Sequence, residues 1–466
     1  MLEKRQKYTI FALEKRQNML KRKIDNYIKD FYKTTQKALL ITGARQIGKT
    51  FSIRAFGRSF KSFIEINFVE RPDAVEVFKN AKDHTDILLR LSASTNQPLI
   101  KGETLIFFDE VQRCPELVTA IKFLVEDGSY RYILSGSLLG VELKDLRSEP
   151  VGYMGVKEMF PLDFEEFITG LGVGEATIRT VREAWTKRQP VDAVVHAKFM
   201  ELFRLYLVVG GMPDAVVQYL KSNNLQEVLA VQQDIIRLYK RDIAQYDPDN
   251  KLYIEEIFDL IPPELNAKNK RFILKKLNEN AKFERFQNSF LWLKHAGVAL
   301  PVYNVEEPKT PLLLARSRNL FKLFQNDIGL LAAQYADGIQ LRVIAGNGNI
   351  NFGSLYENAV AQELTAHGLE PYYYNNKKRG EVDFIVELGG RVLPIEVKSG
   401  KDYAMHRALS NLMACGEYDL PEAVVFNNSN LHMADKTVYA PVYMVMFLER
   451  TNTAPTFYTV DVSMLK

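Results

Sequence analysis

Three short apolar runs recur early in the chain: Ala38–Ile41, Leu105–Phe108 and Tyr132–Leu134. Unbroken apolar runs of this length, closed by polar or glycine residues, predict strands buried on both faces, as in a parallel sheet. Phe63–Phe68 alternates apolar with polar and predicts a further strand. In Phe160–Phe167 a strand end leads into a helix, with Asp163 placed to cap it. Residues 170–248 carry helical periodicity, interrupted by Gly210-Gly-Met-Pro213 directly after the apolar Leu205–Val209. Three amphipathic segments follow, around Pro262-Pro263, at Lys268–Leu277 and at Arg285–His295, and then apolar stretches near Val298–Leu300 and Leu312–Ala315. Three helices followed by a β pair is the order of a winged helix. Beyond a hinge at Gly346–Ile350 come a helix, Ser354–Leu364, and an aromatic strand, Tyr372–Tyr374. The strands Glu381–Glu387 and Arg391–Lys398 are separated by Gly389-Gly390, the pattern of a β-hairpin.

The first apolar run leads into Gly43, Ala44, Arg45, Gln46, Ile47, Gly48, Lys49 and Thr50, which fit G-x-x-x-x-G-K-[ST] at every fixed position. Glycines at that spacing let successive backbone N–H groups turn inward around phosphates, and the next helix presents its positive N-terminus. Lys49 is expected at the β- and γ-phosphates and the Thr50 hydroxyl on Mg²⁺. The second run ends in Asp109-Glu110. Asp109 is expected to complete the Mg²⁺ shell, and Glu110 to orient and deprotonate the attacking water. Ser135 and Ser137, closing the third run, are placed to sense the γ-phosphate. A second chemistry lies near the C-terminus. Residues two apart on a strand share a face, so Asp383, Glu396 and Lys398 can converge, with Glu357 added from the preceding helix. Two carboxylates and a lysine suit metal-dependent phosphodiester cleavage. Glu357, Asp383 and Glu396 would hold Mg²⁺ or Mn²⁺, while Lys398 positions or deprotonates the nucleophile. Tyr372–Tyr374 are candidates for base stacking or for core packing.

Composition narrows the classes. At 466 residues, with 47% apolar and 25% charged side chains, the chain suits a soluble globular protein of about three domains. Two cysteines, Cys114 and Cys415, exclude a disulfide framework and fit a reducing cytosol. No apolar run is long enough to span a bilayer and the charged start lacks a signal-peptide core, so a cytoplasmic location and no membrane partner are expected. The net charge is only +4, but residues 1–50 hold 13 Lys/Arg against 4 Asp/Glu. That arm, in which Leu-Glu-Lys-Arg-Gln occurs at 2–6 and again at 13–17, could touch nucleic acid. The basic run Lys268, Lys270, Arg271, Lys275 and Lys276 could also meet phosphates.

Gly43–Thr50, Asp109-Glu110, Ser135-Gly-Ser137, Pro161–Phe167 and Gly210–Pro213 together resemble the AAA-type ATPases of bacteria and archaea that carry a C-terminal domain of unknown function. Trp292–Gly297, Phe321–Leu330, Gly380–Phe384 and Ile395–Lys398 are similar to that family's later motifs. The resemblance implies an α/β fold: a P-loop AAA-type ATPase core at 35–170 after a basic helical segment at 1–34, a helical lid at 171–248, a winged helix at 249–345, and at 346–466 an α/β domain related to the PD-(D/E)XK, or restriction-endonuclease-like, fold. It also implies that Pro213 packs on adenine. The chain departs from the pattern at Gly152-Tyr153, where many relatives have Gly-Arg as an arginine finger and Arg147 is a weak substitute, and at Val382, where the nuclease signature has proline. The expected activity is ATP hydrolysis coupled to a nuclease-like domain acting on DNA. The alternative is an ATP-controlled switch, or a protein-remodelling ATPase, whose last domain only binds. Homo-oligomer and protein partner both remain open.

Overall fold

The computed structural model describes residues 20–136, 152–246, 251–267, 270–273, 283–335, 338–346, 352–450 and 457–460. The repeat at 2–17, Ser137, Arg147, Lys268, Lys275 and Lys276 lie outside them.

The apolar runs form a five-stranded parallel sheet: β1 (Ala38–Thr42), β2 (Ser62–Asn67), β3 (Thr104–Asp109), β4 (Arg131–Ser135) and β5 (Met154–Glu158), in the order β2-β3-β4-β1-β5. Every residue of β3 is buried, as continuous apolar character requires, whereas β2 alternates buried and half-buried positions. In-register parallel pairing (Phe108 with Leu134, Ile41 with Ser135) brings the C-terminal ends of β1, β3 and β4 to one edge. Ligands bind at that edge in open α/β sheets.

Four helices, Glu175–Lys187, Ala193–Val209, Pro213–Ser222 and Leu225–Tyr246, follow the sheet. Gly210 ends the second of them at φ 72°, a conformation that glycine adopts without the Cβ penalty. The helix Lys251–Asn266 runs through Pro262 and Pro263 rather than breaking at them.

Of the β pair expected as a wing, Val298–Leu300 leads into β6 (Ala299–Val305), but Leu312–Ala315 forms a short 3-10 turn and the antiparallel partner is β7 (Arg316–Gln325). The pair does not stand apart. β6 pairs in parallel with β8 (Tyr372–Asn376), so the pair extends an eight-stranded mixed sheet in the order β12-β13-β11-β10-β9-β8-β6-β7. The sheet also contains β9 (Gly380–Leu388), β10 (Arg391–Val397), β11 (Ala423–Asn427), β12 (His432–Ala434) and β13 (Thr437–Pro441). Pairing of the wing with β8 leaves fewer unpaired backbone groups than an isolated two-stranded ribbon would. Strands β9 and β10 form the expected hairpin: Leu388 faces Arg391 across Gly389-Gly390, and both glycines have positive φ. The helix Phe352–Ala366 is buried from Ser354 to Leu364, between this sheet and the helix Ala193–Val209. One hydrophobic core is shared by the ATPase-side helices and this sheet.

Candidate functional site

The phosphate loop leaves β1 at Thr42. Gly43 has φ 127°, and a Cβ there would stand 2.2 Å from the Met159 carbonyl oxygen. Gly48, at φ 92°, precedes the helix Lys49–Gly57. Lys49 is buried; its ammonium donates to the Gly43 and Ala44 carbonyls at 2.9 and 2.7 Å. Burial lowers its pKa to about 8 against the opposing pull of Glu110 and Asp109.

Asp109 is the centre of the polar edge. One carboxylate oxygen accepts from Thr50 Oγ1 at 3.1 Å and from Asn67 Nδ2 at 3.3 Å; the other accepts from Ser135 Oγ and from Glu110 N at 3.1 Å. Glu110 sits in the left-handed region at φ 56°, and its carboxylate accepts from Gln112 Nε2 at 2.6 Å. Lys49, Thr50, Asp109, Glu110 and Ser135 are thus gathered at one strand edge. Sequence reasoning missed Asn67 and Gln112, whose short polar side chains gave no motif signal. The Thr50 hydroxyl and Asp109 carboxylate are hard oxygen donors that fit Mg²⁺.

Four distant segments border the loop. Arg22, buried, donates to the Ile47 carbonyl at 3.0 Å, to the Phe160 carbonyl at 2.7 Å and to Glu166 Oε2 at 3.1 Å. It belongs to a basic cluster that reads as a solvated helix face, so sequence alone did not single it out. Arg45 pairs with Asp242 at 2.6 Å, and its carbonyl accepts from Tyr239 Oη at 3.2 Å, which ties the loop to the helix Leu225–Tyr246. Pro213 adjoins the loop, since a Cβ at Gly48 would lie 3.6 Å from Pro213 Cγ. Gly297 lies against it too: a Cβ there would come within 3.0 Å of Ala44 N.

The four C-terminal residues also converge, but with company. Lys322 of β7, with no exposed side-chain surface, lies 2.8 Å from Glu381, 3.9 Å from Asp383 and 4.0 Å from Glu357. Lys270 pairs with Glu357, and Lys398 with Glu396 at 2.7 Å. Asp383 accepts from Val397 N at 2.9 Å. Burial and the neighbouring Asp383 push the Glu396 carboxyl up to about 8, and the same causes raise Glu357. Burial works against the Lys322 ammonium, but Glu357, Asp383 and Glu381 together raise its pKa. Three lysines and raised carboxyl pKa values therefore balance this cluster. Among the described residues, no three His, Cys, Asp or Glu side chains form a metal-binding group. Glu357, Asp383 and Glu396, expected as a divalent site, are brought together with the ammonium groups of Lys270, Lys322 and Lys398 among them. Lys322 was missed because its strand, Arg316–Gln325, was not read as a strand beside the acidic residues; a lysine inside Phe321–Phe324 was the available signal. Tyr372, Tyr373 and Tyr374 are buried, which makes them core and not a platform for bases.

Residues 35–168 match the family described as AAA domain, residues 200–340 a domain of unknown function (DUF8612), and residues 352–445 another (DUF4143). No curated protein matches the chain. The Walker-type ATPase PABY2304 of Pyrococcus abyssi is 16% identical over 68% of this chain and 95% of its own, with a TM-score of 0.42. Cdc6p of Pyrobaculum aerophilum is 12% identical over 66% of this chain and 87% of its own, at 0.23. The ORC1 protein of Aeropyrum pernix, solved in complex with DNA, is 11% identical over 66% and 88%, at 0.24. With its phosphate loop and acidic strand end, the segment 35–168 is an AAA-type P-loop ATPase domain, which implies ATP and, ordinarily, Mg²⁺. No helix among the described residues is long and apolar enough to cross a membrane.

Proposed function

We propose that this protein hydrolyses ATP at the loop Gly43–Thr50 and uses its nucleotide state to control a C-terminal domain that binds a partner without cleaving it. The observation that carries the first half is the convergence of Lys49, Thr50, Asp109, Glu110 and Ser135 at one strand edge. Lys49 supplies positive charge to the phosphates, and the Gly43–Gly48 backbone cradles them. Thr50 and Asp109 would hold Mg²⁺, which neutralises charge on the transferred phosphoryl group. Glu110, fixed by Gln112 and by the backbone at φ 56°, orients the attacking water and takes its proton. Ser135, through Asp109, senses the γ-phosphate end of the site. Pro213, beside Gly48, closes over the base.

The second half rests on the lysines of the C-terminal cluster. With Lys322 and Lys398 on Glu381 and Glu396, the residues expected to form a nuclease centre support a charge-balanced binding domain instead. DNA is the partner class supported by the positive N-terminal arm and by exposed Lys377 and Lys378 at the β8–β9 turn. Exposed Leu313 and Leu314, between β6 and β7, favour a second reading in which the partner is a protein. The test measures ATP turnover, DNA binding and cleavage of supercoiled plasmid, single strands and four-way junctions with Mg²⁺ or Mn²⁺. Wild type is expected to hydrolyse ATP and to bind DNA in a nucleotide- and salt-dependent manner without cutting it. Cleavage lost in Asp383→Asn would refute the binding-only assignment. ATP turnover stimulated by a protein and not by DNA would favour the second reading.

A further inference from the structure

The motif Phe321–Leu330 lies in the C-terminal cluster at one end and reaches the turn before Pro213 at the other. Lys322, on β7, lies among the C-terminal carboxylates. Five residues on, Asp327 caps the helix Ile328–Ala333: Oδ1 accepts from Leu330 N at 3.0 Å and Oδ2 from Gly211 N at 2.6 Å. The Gly211 carbonyl accepts in turn from Leu162 N at 2.7 Å. The turn before Pro213 is therefore held between the ATPase core on one side and Asp327 on the other. The fit leaves no slack, since a Cβ on Gly210 would stand 2.3 Å from Asp327 Oδ1 and 2.7 Å from Gly329 N. Asp327 is fully buried, and its hydrogen-bond donors are backbone N–H groups and the Gln362 amide. A carboxylate held only by neutral donors is expensive to bury. A serine or asparagine would cap the helix without that cost, so capping alone does not account for aspartate here.

We infer that Asp327 is a positioning residue for the nucleotide: by fixing Gly211 it sets the turn that carries Pro213 beside Gly48, and it does so from two residues past the end of the strand that places Lys322 in the C-terminal cluster. The inference rests on the proposed ATPase activity. Asp327 touches no phosphate-loop residue, so its effect falls on nucleotide binding and not on the hydrolytic groups around Asp109.

The experiment compares ATP hydrolysis and nucleotide titration for the full-length wild type, Asp327→Asn and Asp327→Ser. Serine retains the helix cap but is too short to hold Gly211, which separates capping from positioning and supplies a second variant should asparagine impair folding. Both variants are expected to raise KM and Kd for ATP tenfold or more while kcat stays within threefold. The inference is overturned if both keep a wild-type KM, or if kcat falls with KM unchanged. A wild-type chain that turns over no ATP overturns the ATPase reading itself. Active wild type with unaltered variants overturns only the role of Asp327.

Discussion

Replacing Lys322 with methionine isolates the charge balance of the C-terminal cluster, because methionine keeps the length of the side chain and removes the ammonium. The lysine has no exposed surface and faces Glu381, Asp383 and Glu357 between 2.8 and 4.0 Å. At an effective dielectric of about 20, one unit-charge pair at 4 Å is worth roughly 4 kcal/mol before desolvation. Removing one partner of a buried pair costs about 3–5 kcal/mol, because the carboxylates are left uncompensated. At about 2–4 °C per kcal/mol for a domain of 150–250 residues, Lys322→Met should lower the thermal midpoint by about 10 °C. The deficit should depend on pH. Carboxyls whose folded pKa is raised favour the folded state when protonated. That contribution is complete below the ordinary carboxyl pKa and is lost as pH rises through the folded value, which burial and Asp383 raise for Glu357 while Lys322 pulls it down. The midpoint gap between variant and wild type should therefore widen from pH 5 to pH 8. Mn²⁺ should narrow it, since a divalent cation can replace the lost charge on clustered carboxylates. Differential scanning fluorimetry across pH, with and without Mn²⁺, reads all three effects. Equal midpoints for the two proteins at pH 8 would refute the assignment of Lys322 as the cluster's internal cation.

At the nucleotide site, Lys49→Ala should weaken ATP binding at least tenfold. Glu110→Gln should retain binding while hydrolysis slows about 10²-fold or more, as for loss of a general base; titration with a fluorescent nucleotide and steady-state turnover separate the two. Unchanged turnover in Glu110→Gln would remove the base assignment. Because burial holds Lys49 near pKa 8, the ATP dissociation constant should rise as pH passes about 8, and a flat profile from pH 7 to 9.5 would contradict a phosphate-binding ammonium. Gly43→Ala should abolish nucleotide binding, because its Cβ would stand 2.2 Å from the Met159 carbonyl in a backbone conformation unfavourable to alanine. Arg22→Ala should destabilise the fold by about 3–5 kcal/mol by leaving Glu166 buried and unpaired, measurable by urea denaturation.

The parts of the molecule legible in the sequence are those set by local pattern. The apolar runs at Leu105–Phe108 and Tyr132–Leu134 became buried strands, the glycine spacing of Gly43–Gly48 marked a loop with positive φ, and Gly389-Gly390 marked a hairpin. Asp109 and Ser135 were found because each ends a buried strand at the same sheet edge. What pattern does not carry is pairing across long separations. Arg22 and Glu166 are 144 residues apart, and Gly211 and Asp327 are 116 apart. Lys322 drew no notice, because nothing in the sequence of β7 shows that β6 would pair with β8 and so bring this strand to the acidic residues. The C-terminal cluster was half legible for a related reason: its acidic residues show in the sequence, while Lys270 and Lys322, which pair with them, come from other elements.

The same long-range pairs limit how the protein can switch. Lys23 pairs with Asp163 at 2.7 Å, His367 lies 3.3 Å from Asp163, and Glu363 accepts from Phe164 N at 2.8 Å and from Tyr206 Oη at 3.1 Å. Burial raises the Asp163 pKa, but Lys23 and His367 overcome it and hold this carboxyl below its ordinary range. These groups join the helix Lys23–Thr34, the ATPase core, the helix Ala193–Val209 and the helix Phe352–Ala366 in one buried network. Pulling the C-terminal domain off the core would break several such contacts at about 3–5 kcal/mol for each charge left unpaired. A ligand shifts an equilibrium only by its differential affinity, and even a 10⁴-fold preference supplies about 5.5 kcal/mol. Nucleotide binding therefore has too little free energy to separate the domains, but enough to move a turn held by one or two hydrogen bonds. Gly210–Pro213 is such a turn, and Asp327 ties it to β7 and so to the C-terminal sheet.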